Sequence, residues 1–458
     1  MSNEIEPKKS INFLTLYVII VSALAGALYG LDIGVIAGAL EFIERDFKAA
    51  GHPLTAFQEG WIVGAVLYGG ALAILVTGYL SDIFGRKKMI VLSALIFIVG
   101  IFLSSHSNEF STLLAGRLVM GIGVGVSAIL IPLYLSETAP AHLRGRAVAC
   151  YQVFLTAGIF AAYLVGYAYS ASGNWRAMFD VLAIPGAVLF IGSLFIPESP
   201  SWLFMKNKME RVKIILARFH GTNNADKIFK EMSALREEKK GETFGAIFSK
   251  KAYIVPFIIA FLIACLNQTT GINCVLQYIT SIFTDSGLSH GTASLLTTGV
   301  GLVNFVVTII ALSLIDKLGR KFLLTISTAG VVIFLCLMGC AALIAGGSLF
   351  KTTLLSIGLY GFTISFAFGC GVVVWLAMSE LLPSNIRSMG LAICLFCNSM
   401  ISSILANVFP VLTQSIGMSG IFFMLAGFSV IYFLVAAFVL PETKGKTVEE
   451  IEEYFRGK

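Results

Sequence analysis

The chain contains little charge for its length. Lys, Arg, Asp and Glu together make up 13% of the 458 residues, whereas 57% are hydrophobic. Soluble domains carry about 25% charged residues, so a soluble enzyme, a nucleic-acid-binding protein and a secreted disulfide-rich domain are poor first interpretations. Twelve membrane-spanning helices of about 20 residues need about 240 residues, and the apolar residues of this chain suffice for that number.

The sequence also lacks the patterns of a metal centre, a nucleotide site or a catalytic site. The eight cysteines lie inside apolar segments without zinc-type spacing to histidine, so we interpret them as packing residues. There is no Gly-Lys-Ser phosphate loop, and the glycines from Gly121 to Gly125 fall inside an apolar segment, where they favour helix packing. No nucleophile and base can be paired within the spans. We therefore expect no metal, no cofactor, no enzymatic activity and no nucleic-acid partner.

Twelve apolar segments of membrane-spanning length follow one another along the chain. The first is too long for a signal peptide and is expected to remain as a helix. Several exceed the thickness of a bilayer, which indicates tilt. The sequence therefore predicts an all-α membrane protein. The predicted spans are 13–40, 57–81, 89–105, 110–136, 147–170, 177–196, 253–283, 291–315, 322–346, 352–381, 388–415 and 419–440.

The basic residues are distributed unequally between the loops. The loops around Arg86, Arg144, Arg320 and Arg387 are basic, as is the long stretch 206–251, whereas the alternate loops contain few Lys or Arg. The positive-inside rule places the basic loops in the cytoplasm. An even number of spans then puts both termini there too. The expected localisation is the cell membrane, inner or plasma, with many passes.

Several motifs occur once in each half of the sequence. Asp82–Lys87 recurs as Asp316–Lys321 at an offset of 234, and Pro197–Ser199 recurs as Pro441–Thr443 at an offset of 244. Parallel repeats of six spans are typical of transporters that bind their substrate at the midplane between the halves. The predicted organisation is an N-terminal six-helix bundle at 1–196, a cytoplasmic linker with short amphipathic helices at 197–251, a C-terminal bundle at 252–440 and a cytoplasmic tail at 441–458.

These motifs resemble those of the major facilitator superfamily and, within it, of the sugar porter family. Gly78–Lys87 is similar to the superfamily signature, and Gly116-Arg117, Pro197–Leu203 and Pro441–Gly445 are similar to narrower sugar porter motifs. The resemblance covers essentially the whole chain. It implies the major facilitator fold, in which two pseudo-symmetric six-helix bundles rock about a central sugar site.

Asp32 and Arg117 are charged residues inside predicted spans, where a charge costs roughly 2.5–3.5 kcal/mol on insertion scales. Asp32 and Arg117 lie about equally far from the outer ends of spans 1 and 4, which allows an ion pair. Burial favours a neutral carboxyl group, whereas a nearby arginine favours the carboxylate. A movement that changes either effect would change the proton affinity of Asp32, as proton coupling requires.

The resemblance supports this interpretation, because proton-driven sugar porters carry an aspartate at this position. We expect Asp32 to accept the proton and Arg117 to modulate it. The alternative is a static ion pair that fixes span 1 against span 4. Asp180, in span 6, is a weaker candidate whose position at a helix end gives it a simpler explanation.

A second set of charges lies at the cytoplasmic ends of the spans. A glutamate precedes an arginine by seven residues in both halves, and each half adds one arginine from the repeated loop. The resemblance implies an inner gate whose ion pairs favour the outward-open form. Positive-inside anchoring is the alternative for the two loop arginines. The gating candidates are Arg86, Glu137, Arg144, Arg320, Glu380 and Arg387.

Uncharged polar residues in the spans predict the substrate class. Sugars offer hydroxyl groups and apolar ring faces, so their sites combine amides with an aromatic surface. Asn267 in span 7 and Asn304 in span 8 lie at similar depth near the midplane. By resemblance, the sugar-contacting positions fall on Gln152, Gln268, Asn273, Asn304 and Trp375.

The arrangement in span 7 requires an interruption of the helix. On a continuous helix Gln268 and Asn273 would diverge by about 140°. The family breaks its span 7 here, near Gly271, which would let both amides converge. Hydrogen bonds between helices are the alternative explanation for any single amide.

The sequence departs from the family pattern at several positions around this site. Gln277 stands where an aromatic gate residue is common, and Ser399 and Ser402 stand where a tryptophan and an asparagine are frequent. The general pattern of a polyol-binding site is retained despite these departures. A hexose, a pentose and a cyclitol such as inositol all remain candidates.

We expect a secondary active transporter that imports a monosaccharide or related polyol by proton symport through alternating access. It would work as a monomer in the lipid bilayer, with the sugar and protons as its partners. A passive sugar uniporter is the nearest alternative. A non-transporting sugar receptor is an alternative of a different class.

Overall fold

The protein is described from a computed structural model that covers residues 12–140, 143–238, 251–346, 348–383, 386–446 and 448–456. Within these ranges the regular structure consists of helices, without a strand. Residues 1–11 of the predicted first bundle and residues 239–250 of the predicted linker lie outside the described residues.

Six membrane spans form the first bundle. The sixth is made of two helices, α6 and α7, that are separated at Leu182. The helices are α1 (Phe13–Ala49), α2 (Ala56–Phe84), α3 (Arg86–Ser105), α4 (Phe110–Thr138), α5 (Arg144–Ala168), α6 (Trp175–Val181) and α7 (Ala183–Phe195).

The second bundle contains two interrupted spans. The first runs through α11 and α12 and is broken at Gly271, and the fourth contains a π-helical turn at Phe366–Cys370. The helices are α11 (Lys251–Thr269), α12 (Ile272–Asp285), α13 (His290–Leu318), α14 (Arg320–Ala342), α15 (Leu349–Ser365), α16 (Gly371–Leu381) and α17 (Arg387–Leu434), which a second π-helical turn (Val435–Val439) continues.

The last two spans follow each other directly in α17, where the chain reverses direction. Gly417 has φ 72° and ψ 167°, which are not helical values. The helix begins at Arg387, which donates a hydrogen bond to the Leu382 carbonyl. After Gly417 the chain returns to Glu442, whose carboxylate accepts a hydrogen bond from the backbone N–H of Arg320 at the start of α14. Among the described residues, eleven segments have the length and hydropathy of a membrane span, and the reversal divides the last of them into two.

The predicted spans agree with the helices apart from their ends. The largest difference is α1, which was predicted to end at Leu40 and ends at Ala49. The added residues are rich in charge, so hydropathy falls although the helix continues. Phe42, Ile43 and Phe47 remain buried there, which explains why these two further turns stay helical.

The described part of the linker forms three short helices, and the second of them contacts the start of α1. They are α8 (Pro200–Met205), α9 (Met209–His220) and α10 (Thr222–Glu238). Asn12 donates a hydrogen bond to the Arg218 carbonyl at 2.6 Å. The C-terminal helix α18 (Val448–Arg456) buries Ile451 and Phe455 against a cluster that includes Tyr253. We call this end of the bundle the linker end and the opposite end the far end.

The two bundles meet closely toward the far end, along an interface that we call the seam. A Cβ at Gly60 of α2 would fall on the Asn407 carbonyl of α17, and one at Gly64 would touch Ser403. Tyr163 of α5 donates a hydrogen bond to the Leu276 carbonyl of α12 at 2.7 Å. Small residues that let two helix backbones approach are typical of tight helix contacts in membranes. The far end is therefore closed in this structure.

Candidate functional site

A cavity lies between the two bundles, below the seam. Its empty volume, which includes space open to solvent, is about 580 Å³. Helices of both bundles contribute to its wall. All six side chains predicted to contact the sugar line it: Gln152, Asn267, Gln268, Asn273, Asn304 and Trp375.

The break between α11 and α12 brings two of these amides together. Gly271 has φ 77°, a left-handed conformation that glycine adopts without steric cost. The following helix starts in a new direction, and Asn273 Nδ2 donates a hydrogen bond to Gln268 Oε1 at 3.0 Å. The two side chains therefore converge, although an uninterrupted helix would separate them.

Helix α17 holds this pair in place through two further polar residues. Gln268 Nε2 donates to Asn398 Oδ1 at 3.2 Å, and Asn273 Nδ2 donates to Ser402 Oγ at 2.8 Å. Asn398 in turn donates to the Ala264 carbonyl at 2.8 Å. The sequence prediction missed Asn398. Asn398 could have been found from its position four residues before Ser402, because this spacing places both side chains on one helix face.

Two other amides of the cavity have no hydrogen bond to a described residue. Gln152 on α5 and Asn304 on α13 both line the cavity from opposite bundles. The hydroxyl groups of Thr156 and Thr308, one turn further along, donate to carbonyls of their own helices. Gln152 and Asn304 therefore present free donors and acceptors to a ligand that carries hydroxyl groups.

Aromatic side chains supply the apolar part of the wall. Trp375 on α16 lines the cavity and keeps 38% of its surface exposed. Tyr29 on α1 and Phe366 in the π-helical turn also line the cavity, and neither was predicted. A π-helical turn inside a helix is often found at functional sites. Amides and aromatic surfaces together fit a ligand with hydroxyl groups around an apolar ring.

Asp32 and Arg117 form an ion pair within the first bundle. Arg117 Nη1 lies 2.7 Å from Asp32 Oδ1, and both side chains are fully buried. The second carboxylate oxygen, Oδ2, is also buried and has no hydrogen-bond partner among the described residues. Ile33, the neighbour of Asp32, and Tyr29, one turn earlier, line the cavity. Asp32 is thus adjacent in sequence to a residue that lines the candidate substrate site.

Close packing of α2 and α4 explains how Arg117 is held. Its Nε donates to the Ile62 carbonyl at 3.0 Å and its Nη2 to the Val63 carbonyl at 3.4 Å. A Cβ at Gly121 would meet the backbone of Val66, so only glycine allows the helices this close. Two carbonyls and one carboxylate then replace water around the buried guanidinium.

The weaker candidate for proton coupling, Asp180, is exposed on α6.

The linker end carries the same charge arrangement in both bundles. Arg86 at the start of α3 pairs with Glu137 at 3.3 Å, and Arg320 at the start of α14 pairs with Glu380 at 2.9 Å. Each glutamate also accepts a hydrogen bond from the hydroxyl group of the repeated motif, Ser199 in the first bundle and Thr443 in the second. The sequence repeat thus corresponds to a repeated network.

The neighbouring glutamates of the same motif cap helices. Glu198 accepts a hydrogen bond from the backbone of Lys87 at 3.1 Å, and Glu442 accepts from the backbone of Arg320 at 2.9 Å. Both carboxylates lie at a helix N-terminus, where negative charge is favourable. The sequence analysis identified both motifs without assigning this role.

The other two predicted gating arginines are placed differently. Arg144 is exposed at the start of α5, and Arg387 donates to the Leu382 carbonyl at 3.1 Å. The ion pairs of Arg86 and Arg320 therefore lie within each bundle. In this conformation, no ion pair between described residues joins the two bundles at the linker end.

Comparisons with known proteins agree with this architecture. The family described as "Sugar (and other) transporter" matches residues 18–455. The putative metabolite transport protein YwtG of Bacillus subtilis (strain 168) is 36% identical over 95% of this chain and 94% of its own length. The galactose-proton symporter of Escherichia coli (strain K12) is 32% identical over 96% and 94%.

A solved structure gives the same result for the fold. The proton:xylose symporter XylE, bound to 6-bromo-6-deoxy-D-glucose, superimposes with a TM-score of 0.81 at 27% identity, covering 96% of this chain and 99% of that chain. The predicted fold of two six-helix bundles is therefore confirmed. The chain belongs to the sugar porter family of the major facilitator superfamily.

Proposed function

We propose that this chain imports a monosaccharide or related polyol together with a proton. One observation carries the proposal. Asp32 and Arg117 form a fully buried ion pair, and Ile33, the residue after Asp32, lines a cavity whose wall contains amides and aromatic rings. The cavity supplies polyol recognition and the ion pair supplies a site for the proton. The similar proteins named for galactose and xylose also couple sugar to protons by name.

The free amides on opposite bundles explain how substrate could favour closure around itself. Gln152 and Asn304 lack hydrogen bonds to described residues and face the same cavity from α5 and α13. A ligand with several hydroxyl groups can bond to both and so hold the bundles together. Hexoses, pentoses and inositol all meet this requirement. A single protein molecule contains the whole site, which supports a monomer as the working unit.

Coupling requires that the far end and the proton site respond to each other. Ile62 and Val63, whose carbonyls hold Arg117, lie between Gly60 and Gly64, which form the seam with α17. Opening the seam would expose this part of α2 to water and loosen the support of Arg117. Asp32 would then bind or release its proton in step with the movement.

The membrane orientation follows from the charge distribution. The linker end carries Arg86, Arg320 and the basic linker, so we place it in the cytoplasm by the positive-inside rule. The far end then faces the outside, and the structure represents an inward-facing form. In the opposite form, the charges of Arg144 and Arg387 would approach the other bundle and complete the predicted inner gate.

Replacement of Asp32 by asparagine tests the coupling. In proteoliposomes with a proton gradient, Asp32→Asn should lose uphill accumulation of labelled sugar while it retains exchange of sugar across the membrane. Asp180→Asn is the matched control, because Asp180 is exposed, and it should accumulate sugar like the wild type. Undiminished accumulation by Asp32→Asn would remove Asp32 from the coupling role.

The same assay separates the alternatives. If the wild type equilibrates sugar without accumulating it in a proton gradient, the chain is a passive uniporter. If it binds sugar but gives no counterflow of labelled sugar, it is a receptor. A thermal-shift screen of galactose, xylose and inositol would identify the substrate class.

A further inference from the structure

A close contact between a histidine and a glutamate crosses between the bundles at the far end. His290, the first residue of α13, lies with its Nδ1 at 2.6 Å from Glu41 Oε2 of α1. The imidazole also packs edge-on against Phe42 at 4.4 Å between ring centroids. The side chain of His290 is largely buried and that of Glu41 is about half exposed. This contact can exist only while the far end is closed.

Further charged groups surround the contact on every adjoining helix. Glu44 on α1 is repelled by Glu41 and by Asp285 at the end of α12, and Glu59 on α2 is repelled by Glu44 and Asp285. The cations nearby are Lys351 at the start of α15, which is attracted to Asp285, and Arg45, which lies over the Phe42 ring at 5.2 Å. Closure thus brings carboxylates of the two bundles together.

The His290–Glu41 contact and the repulsion among the surrounding carboxylates both make closure more favourable at acidic pH. Histidine is the side chain that gains charge between about pH 8 and pH 5, and a protonated His290 attracts Glu41 as an ion. Protonation of the surrounding carboxylates removes repulsion across the seam. The positive end of the α13 dipole acts on His290 in the open and the closed form alike. Burial on closure disfavours the charged imidazole, and the negative charge of Glu41 and its neighbours opposes this effect.

We propose that His290 and Glu41 form an acid-strengthened latch that holds the far end closed. The latch is separate from Asp32, and it rests on the proposed alternating access only in requiring that the far end opens. With the far end outside the cell, an acidic medium would favour closure and passage to the inward-facing form. A proton would thus act on the gate as well as on the coupling site.

Hydrogen exchange of the full-length protein measures the latch directly. Peptides that cover the seam, around Gly60–Gly64 and Ser403–Asn407, should be about threefold better protected at pH 5.5 than at pH 8 after correction for intrinsic exchange, the size expected of one partly exposed pair. His290→Gln and Glu41→Gln should each abolish most of this difference.

Two controls make the outcome decisive. His52→Gln removes an exposed histidine of the neighbouring α1–α2 loop and should leave the pH difference intact. In the Asp32→Asn background, His290→Gln should still reduce the pH difference, although Asp32→Asn loses proton-driven accumulation, so failure of the latch and failure of the coupling proposal give different results. A pH difference that persists in both latch variants, with counterflow showing that they are folded, would overturn the inference.

Discussion

At the scale of single residues, the site divides its amides into two classes. Gln268 and Asn273 are held by each other and by α17, so they present a fixed surface to a ligand. Gln152 and Asn304 have no such bonds and are free to bind. The fixed pair therefore determines the geometry of the site, and the free pair provides the contacts that differ between empty and loaded states.

Replacement of Gln268 by alanine tests the fixed pair. The change removes a cavity-lining amide and leaves Asn273 and Asn398 without one partner each, so we expect sugar affinity to fall at least tenfold, about 1.4 kcal/mol. Thermal shift with increasing sugar concentration measures the affinity. Thr269→Ala is the control, since Thr269 bonds only to the Leu266 carbonyl of its own helix. Equal affinities would contradict the assigned cavity.

Most residues of the site could be predicted because a polar side chain in an apolar span is conspicuous. Asp32, Arg117 and the span 7 amides stand out in this way. Tyr29 and Phe366 could not be predicted, because the spans contain many aromatic residues and most of them can face lipid or pack between helices. Only the packing of the bundles shows which of them faces the cavity.

At the scale of helices, the interruption at Gly271 is the element that builds the site. Its left-handed backbone redirects α12 so that Asn273 meets Gln268. A residue with a side chain would adopt this conformation at a cost of roughly 1–2 kcal/mol. The added Cβ would also meet the side chain of Leu425. The helix would relieve the strain by moving the break, and with it Asn273.

We therefore expect Gly271→Ala to weaken sugar binding about tenfold, which corresponds to about 1.4 kcal/mol of this strain. Titration of the purified protein with sugar, followed by its thermal stability, gives the affinity. Gly427→Ala is the matched control, since a Cβ at Gly427 meets open space and its backbone is helical. If both variants bind sugar like the wild type, the interruption does not organise the site.

The helices themselves were largely predictable from hydropathy, because lipid requires long apolar runs. The end of α1 was not, because Glu41–Ala49 is charged yet buries Phe42, Ile43 and Phe47. This extension carries Glu41 to His290. The reversal at Gly417 was placed between two apolar segments by the sequence, although its backbone conformation was not.

At the scale of the whole molecule, the sequence repeat predicts two bundles but not how they are arranged in a given state. The same chain must pack in at least two ways for alternating access. Hydropathy and motif spacing are identical in both. Contacts such as those at Gly60, Gly64 and Tyr163 show that the far end is the closed one here.

The seam supplies a test of alternating access for the molecule as a whole. A Cβ at Gly60 would already overlap the Asn407 carbonyl, so a tryptophan at this position prevents closure of the far end. Gly60→Trp should then bind sugar from the far side but lose counterflow at least tenfold, because the bundles cannot complete the cycle.

The control is another glycine of the same helix. Gly78 on α2 is exposed, and a Cβ there meets no atom within 4 Å, so Gly78→Trp should transport like the wild type. Sugar binding by thermal shift shows that both variants are folded, and counterflow in proteoliposomes gives the rate. Counterflow at the wild-type rate in Gly60→Trp would mean that substrate crosses the membrane without closure of the seam. The rocking movement of the two bundles would then have to be abandoned as the transport mechanism.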